Sequence, residues 1–548
     1  EFSNGLILRE SIRDFISLAY HQWELPPTYI LLLGDATFDY RNIYGGGEPS
    51  YVPTSYYQAR NRGHSPSDYF YALLDGEDLL PDVAVGRLAV ESLKEANATV
   101  EKIINYDLRI EPGDWRSRVI YLANYHDKEE FTGPSDDLAH NYSEPFGLKS
   151  IKIYNPDEKH LPNVTGKAFL DALNDGALLV NFNGHGSAGT MQYIFSLQYS
   201  DWDYLSLVAN NRRLPLITAF SCLNGMFVNP HTEAIGEVFA DLPEGGSIAY
   251  ISATAQSFTS QNNLLSQHLY KQFFTGETLA FGPALNNAKM RVLAAHPSWT
   301  ASVLTMQLFG DPAQNLALPE KADYQPTNLT VIGELVTDNA VKIEAKIVNN
   351  TRATADSLIV LLIADGSTDS DTLYSKQIPP FVGTRSLSFD WPLGAISGEH
   401  VIEIYVDAGN SVEEIDENNN FATITVDILS PMIPELLYPP AESVTSADSL
   451  MFEAVVETQL NSNARVQFQL STQSSFPEGY TTLSPLTEIV DGVARFSPAV
   501  LQDTTWFWRA RIVNGVSSGP WTAVRSVSTI KGATENSKLT KWRQNAPQ

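Results

Sequence analysis

In the first half of the chain, short apolar runs alternate with segments whose apolar residues recur every three or four positions. TYILLLGD, PDVAVGRLAV, RVIYLANY, SIKIYN, ALLVNF, LPLITAF and GGSIAYISA read as strands. Several end abruptly on glycine or a polar residue, as strands covered on both faces of a parallel sheet do; PPTYILLLGDATFDY is expected to be such a buried strand, turning at Gly34 and Asp35. Between them, residues 6–21 place Ile12, Phe15, Ile16, Ala19 and Tyr20 on one helical face. ESLKEANATVEKIINYD opens with Ser92 and Glu95 at capping-box spacing and continues as an amphipathic helix. Further helices are expected near Gly166–Leu173, in NNLLSQHLYKQFF and in ALNNAKMRVLAAH. This alternation predicts an α/β layer architecture.

From Tyr324 the period changes to two. NLTVIGELVTDNAVKIEAKIVNN, DSLIVLLIADG, HVIEIYVDAG and FATITVDIL supply the strands of one β-sandwich. Ser430 and Pro431 lead to a second, in which Trp506, Trp508 and Trp521 are expected in the core. Punctuation at Pro112–Asp114 divides the α/β part. The expected units are residues 1–112, 113–319, 325–429 and 431–530, followed by a polar linker tail over 531–548.

Composition narrows the function classes. The 548 residues carry 64 acidic and 36 basic side chains, a formal charge of −28. That balance argues against nucleic acid as a partner, because there is no counterion-release surface. No apolar run reaches the roughly 18 residues that span a bilayer, and no signal peptide opens the chain. The immediate start on a helical pattern reads as a fragment truncated at its N-terminus, so the missing leader says nothing about export. Asp68, Asp75, Glu77, Asp78 and Asp82 cluster in SDYFYALLDGEDLLPD. They are candidates for a structural Ca²⁺ site or a solvated acidic loop, without the spacing of an EF-hand.

The candidate chemistry sits at two strand ends. ALLVNF ends in Asn183, Gly184, His185, Gly186 and Ser187; LPLITAF ends in Ser221, Cys222, Leu223, Asn224 and Gly225. Cys222 is the only cysteine, so it forms no internal disulfide. The segment between His185 and Cys222 has room for one crossover between neighbouring parallel strands, which lie roughly 5 Å apart. A thiol of ordinary pKa, about 8.5, becomes a nucleophilic thiolate beside an imidazolium. Gly186, lacking a Cβ, lets its N–H approach a developing oxyanion, with the Cys222 N–H as second donor.

GHGS at His185, SCLNGMF at Cys222, GGSIAYISATAQSF, GPALNNAKMRV and the closing LFGDP resemble the gingipain-type cysteine peptidases, whose fold is similar to that of caspases. LLLGDATFDY and DVAVGRL resemble the first subdomain of that family, so the resemblance covers residues 1 to about 319. It implies a gingipain-like α/β peptidase domain with parallel sheets, here followed by two immunoglobulin-like sandwiches. VDAGNSVEEIDENNN resembles the turn of bacterial adhesion-related modules, and TTWFWRARIVNGVSSGPWTAVRSVST resembles the closing strands of a fibronectin type III module. The family resemblance also implies an acid that orients the histidine, in a loop that here reads NYHDKEE. Asp127 is the choice, with Glu129 and Glu130 as rivals. Asp137 falls where arginine-cleaving members place a pocket aspartate, which when buried selects a basic partner by charge pairing, and Phe258 falls near an aromatic pocket wall.

Peptidase and tandem sandwiches together resemble the PorU-type sortases of the type IX secretion system. That implies a surface enzyme that removes the C-terminal signal domain of secreted cargo through a Cys222 thioester and transfers the new carboxyl end to a lipopolysaccharide amine. It would work at the extracellular face of the outer membrane beside an outer-membrane β-barrel or other secretion components, with no cofactor required and its metal content unknown. Two alternatives stand beside this reading: a secreted endopeptidase with basic primary specificity, and a silent scaffold subunit.

Overall fold

The structure, a computed structural model, describes residues 7–531 except 46–49, 60–62, 112, 125–129, 156–161, 193, 198–204, 336–338, 355, 366–371, 395, 429–432, 457–463, 500–501 and 515–516. The α/β part runs α1 (Arg9–Gln22), β1 (Tyr29–Leu33), β2 (Ser55–Ala59), β3 (Gly63–Ser67), β4 (Ala84–Leu88), α2 (Leu93–Leu108), β5 (Arg118–Ala123), α3 (Thr132–Leu138), β6 (Lys149–Tyr154) and α4 (Pro162–Asn174). It continues with β7 (Leu179–Asn183), three two-residue strands β8 (Gly186–Ser187), β9 (Thr190–Met191) and β10 (Phe195–Ser196), then β11 (Leu216–Phe220), α5 (Ile235–Asp241) and β12 (Ala249–Ala253). It closes with α6 (Thr259–Phe274), α7 (Phe281–Ala295), α8 (Thr300–Leu304) and β13 (Met306–Phe309).

Eight of these strands form one sheet in the order β1-β4-β13-β12-β11-β7-β5-β6. The sheet is mixed: β13 runs antiparallel to β12 and parallel to β4, while the other pairs are parallel. Through β13 the segments before and after residue 113 share a single sheet.

The continuous apolar runs of β7, β11 and β12 are buried along their whole length. Alternate residues serve opposite layers. Leu179, Leu216 and Phe220 pack with Leu265, Leu269, Leu285 and Val292 of α6 and α7. Val180, Phe182, Ile217 and Ala219 pack with Phe169 and Leu173 of α4 and with Ile235 and Phe239 of α5. Each such side chain contributes about 1.5–3 kcal/mol, against about 1 kcal/mol net for a hydrogen bond. The two apolar layers therefore set the sheet, and polar residues at the strand ends are left to serve a site.

β1 departs from the expectation of a buried strand. Leu32 is buried beside Ile16 of α1, but Tyr29, Leu31 and Leu33 are 41%, 41% and 50% exposed. The strand lies at the sheet edge with β4 as its neighbour, and only one of its faces is covered. Asp68 also departs from the acidic-loop reading. It is buried, and its carboxylate receives Arg87 Nε at 2.7 Å and Nη2 at 2.8 Å, Thr54 Oγ1 at 2.7 Å and Gln307 Nε2 at 2.9 Å. Asp82 accepts the Leu74 and Asp75 amides.

Residues 324–428 form a sandwich of β14 (Tyr324–Ile332), β15 (Ala340–Asn349) and β18 (Gly383–Pro392) against β17 (Thr372–Ile378), β16 (Leu358–Ala364), β19 (Gly398–Val406) and β20 (Phe421–Ile428). Its signature turn holds the incoming linker: the Glu414 carboxylate accepts the Tyr324 N–H and Asn420 Nδ2, and Ile415 N–H donates to Ala322 C=O at 2.9 Å. Arg352 stacks over Phe146 of the α/β part at 4.2 Å, and Ala353 N–H donates to Gly147 C=O at 2.8 Å. A second all-β unit follows from Glu435 to Ile530, with Phe452, Phe468 and Trp508 in its core. Trp506 packs only partly against that core, and Trp521 is half-buried beneath Arg509 and Arg511. Among the described residues no helix is long and apolar enough to cross a membrane.

Candidate active site

β7 and β11 are parallel neighbours with Asn183 opposite Phe220, so the chain leaves both strands at the same sheet edge. His185 follows one strand end and Cys222 the other. Carboxyl ends of parallel strands are where side chains converge on a ligand.

The His185 side is a short hairpin in which Gly186 pairs with Met191 and Ser187 with Thr190. Gln192 N–H donates to His185 C=O at 3.0 Å. That bond makes Gly186–Met191 a non-hydrogen-bonded pair, so the Gly186 N–H points out of the hairpin. The Cys222 side is a tight turn with Leu223 at φ +63°, pinned by Leu223 N–H to Ala255 C=O and Gly225 N–H to Ala253 C=O, both 3.0 Å.

Asn224, fully buried, joins the two loops. Its Nδ2 donates to Ser187 C=O at 2.6 Å and Thr190 C=O at 2.8 Å, while its Oδ1 accepts Ser221 Oγ at 2.6 Å. Gly186 lies in the seam: a Cβ there would stand 2.8 Å from Cys222 O, 2.8 Å from Ser221 Oγ and 2.9 Å from Asn224 Nδ2. The glycine is needed for close approach of the two loops.

His185 is exposed, and its backbone is held from below. Its N–H donates to Oδ1 of buried Asn124 at 2.8 Å, and the Asn124 amide donates onward to Gln192 C=O. A side chain at Gly184 would meet Asn124 Oδ1 at 2.3 Å. The Phe131 ring stands edge-on to the imidazole, centroids 5.1 Å apart. Cys222 is half-buried, and its thiol faces Ser257 C=O at 3.7 Å. The arrangement presents an imidazole and a thiol on two loops fastened to one another, open to solvent on one side.

Phe258 follows Ser257 directly, caps α6 and is 62% exposed. Asp137 is on α3 and is exposed rather than buried; its neighbour Asp136 takes Lys152 and the Tyr154 hydroxyl. Asp127 and Glu129 lie outside the described residues. Glu130 accepts Thr259 Oγ1 at 2.8 Å, which ties its loop to the start of α6. Among the described residues no group of three or more His, Cys, Asp or Glu side chains is arranged to hold a metal ion. Asp68 and Asp82, from the acidic segment, are already committed to Arg87 and to backbone amides.

Sequence reasoning overlooked Asn124, Asn224 and Phe131. The available signal was an asparagine directly after a buried strand, or two residues after the cysteine. Side-chain amides at such places satisfy loop backbone that the sheet no longer reaches.

Residues 1–317 match the description Peptidase family C25, and residues 321–424 match CARDB. Gingipain R2 of Porphyromonas gingivalis is 24% identical over 342 residues, which is 59% of this chain and 43% of that protein. Gingipain R1 of the same species is 24% identical over 322 residues, 56% of this chain and 30% of that protein. The chain thus spans less than half the length of these curated relatives. A crystal structure of the Arg-specific cysteine proteinase gingipain R aligns over 77% of this chain and 88% of its own, with TM-score 0.48 and 19% identity. With more than half its length matched, the chain belongs to peptidase family C25, the gingipain-like cysteine peptidases, and carries a CARDB module behind its α/β domain.

Proposed function

We propose that the chain is a surface cysteine endopeptidase with Cys222 as nucleophile and His185 as its proton shuttle. The observation that carries this reading is the Asn224 bridge, which fastens the His185 hairpin to the Cys222 turn at the ends of adjacent strands. The thiol proton passes to the imidazole and the thiolate attacks the scissile carbonyl carbon. The Gly186 and Cys222 N–H groups receive the oxyanion. Collapse of the tetrahedral intermediate breaks the C–N bond, the leaving amine takes the proton from His185, and a thioester remains on Cys222. An acid in the loop after β5, Asp127 by family position, would orient the imidazole.

What resolves the thioester separates a hydrolase from a sortase. The exposed His185 and half-exposed Cys222 leave it accessible to water and to an amine alike. We favour transfer, on secreted cargo whose C-terminal signal domain is removed, with lipopolysaccharide as the amine acceptor and secretion-system components as neighbours. The sandwich behind the peptidase, in the segment that matches CARDB, supports a surface or extracellular setting. Basic specificity through Asp137 has less support. An ion pair at an exposed carboxylate is worth about 0–1 kcal/mol, too little to select a substrate.

The test is Cys222→Ala and His185→Ala on the intact chain. Cleavage of a cargo C-terminal segment should vanish in both, and alkylation of Cys222 well below pH 8 should collapse in His185→Ala. Cleavage surviving in Cys222→Ala would overturn Cys222 as the nucleophile; a wild type that neither cleaves nor is alkylated at Cys222 would leave the scaffold reading. With wild type, an added primary amine should appear covalently on the new carboxyl end; release of the free acid alone would make the protein a hydrolase.

A further inference from the structure

Behind the candidate dyad two carboxyl groups are buried together, and among the described residues neither has a cation to itself. Asp35, in the turn after β1, is 6% exposed, and Glu237, in the first turn of α5, is 5% exposed. Asp35 Oδ1 is buried, and among the described residues no conventional hydrogen-bond donor reaches it. Burial, the dominant cause, pushes the Asp35 carboxyl up to about 8 and raises Glu237 well above the usual carboxylate range. Arg87 faces Asp35, but its guanidinium is already spent on Asp68, Gly34 C=O and Val52 C=O. Among the described residues the other titratable groups facing the pair are Glu91, Tyr56, Glu233 and Asp241, none of them a cation. Lys102, which faces Asp241, is held by Ala240 C=O and Leu242 C=O. Two carboxyls in that setting are not both ionised at neutral pH, and a proton held on one can be donated to the other.

The consequence for the site runs through α5. Ile235 N–H donates to Ala188 C=O in the His185 hairpin at 2.7 Å, and Gly236 N–H donates to Asn224 C=O in the Cys222 turn at 3.0 Å. The Glu237 carboxylate closes the same turn by accepting the Ala234 N–H at 2.5 Å. Across the pair, Phe38 N–H donates to Val228 C=O at 3.0 Å, which docks the Asp35 loop against the chain leaving Cys222. One helical turn thus grips both loops of the dyad, and the carboxyl pair lies beneath it.

We propose that Glu237, paired with Asp35 through a shared proton, is a positioning residue that holds the first turn of α5 and through it the relative placement of the His185 and Cys222 loops. This rests on the cysteine-dyad reading above. Loss of the shared proton leaves two buried carboxylates in repulsion and loosens the grip, so the site fails on the alkaline side.

The experiment follows Glu237→Gln, Glu237→Ala and Asp35→Asn in the full chain by two readouts. The first is turnover of a fluorescent casein between pH 6 and 10. The second is hydrogen-exchange protection of residues 185–192 and 222–228, which needs no turnover. Glu237→Ala should lower kcat at least tenfold at pH 7 with KM within threefold. Glu237→Gln, which still accepts the Ala234 N–H and donates to Asp35, should recover kcat to within threefold of wild type and lose the alkaline fall. Protection of both loops should drop at least tenfold between pH 7 and 10 in wild type and stay level in Glu237→Gln. A Glu237→Ala with wild-type kcat, or a Glu237→Gln with the wild-type alkaline fall in kcat and protection, would overturn the proposal. If Glu237→Ala does not fold, Glu237→Gln and Asp35→Asn decide it. If wild type does not turn over casein, the exchange data decide the grip, and Cys222 alkylation with and without His185 decides the dyad reading.

Discussion

Gly186→Ala is the sharpest test of how the two loops meet. The added methyl would sit 2.8 Å from Cys222 O, 2.8 Å from Ser221 Oγ and 2.9 Å from Asn224 Nδ2, all well inside a carbon contact of roughly 3.5 Å. None of the three partners moves cheaply. Cys222 O is backbone, Ser221 Oγ is bound to Asn224 Oδ1 at 2.6 Å, and Asn224 Nδ2 is fixed by two carbonyls of the hairpin itself. Relief therefore comes from displacing the hairpin by about 0.5 Å, at the overpacking cost of about 1–3 kcal/mol. That displacement carries the Gly186 N–H out of position, and loss of one oxyanion donor costs about 100- to 1000-fold in kcat. The expected result is a kcat lowered at least 100-fold, a KM within threefold and a melting temperature of the peptidase unit lowered by a few degrees. The assay is steady-state cleavage of a cargo-derived peptide alongside calorimetry. A variant with kcat within twofold of wild type and an unchanged melt would refute both the close approach and the oxyanion role.

Two further predictions concern buried charges away from the dyad. Asp68→Ala strands the Arg87 guanidinium in a site of 0% exposure and should cost about 3–5 kcal/mol, read by urea unfolding of the α/β part; a loss under 1 kcal/mol would show that the pair is not needed. Lys289 donates from Nζ to Met306 C=O at 2.7 Å and lies over the Tyr69 ring at 4.4 Å, and burial brings it down to about 7. The unfolded chain keeps that proton up to about 10.4, so it binds more protons than the folded state between about pH 7 and 10.4. Stability from this group therefore rises with pH through that window. Lys289→Met should remove the rise, so the stability difference between wild type and variant at pH 7 and pH 9.5 must move in favour of wild type; no movement would refute it.

Much of the scaffold was legible because burial on both faces leaves a mark in one dimension. β7, β11 and β12 read as continuous apolar runs since both of their alternating sets meet helices. The same rule misled at β1, where ILLL is as apolar as the others but only Leu32 is buried beside α1. Run composition reports what a face tolerates, while its neighbours are decided by the strand order, which β13 completes from far along the chain. His185 and Cys222 stood out for a local reason: each follows an abrupt strand end, and Gly184 and Gly186 are where Asn124 and Cys222 crowd the backbone.

The residues that support the site left no such mark, and the carboxyl pair shows why. In a chain with 64 acidic side chains, nothing local sets Asp35 or Glu237 apart from the rest. Their burial depends on the β1 turn, α5 and the loop after Cys222 coming together, three segments with no common periodicity. Asn224 is similar, since its bonds to Ser187 and Thr190 exist only once β7 and β11 are neighbours. Both kinds of residue contribute through a partner distant in sequence, and local pattern cannot carry that information. The side chains proposed to carry the chemistry are therefore the most readable part of the site, and the groups that hold them in place become visible only in three dimensions.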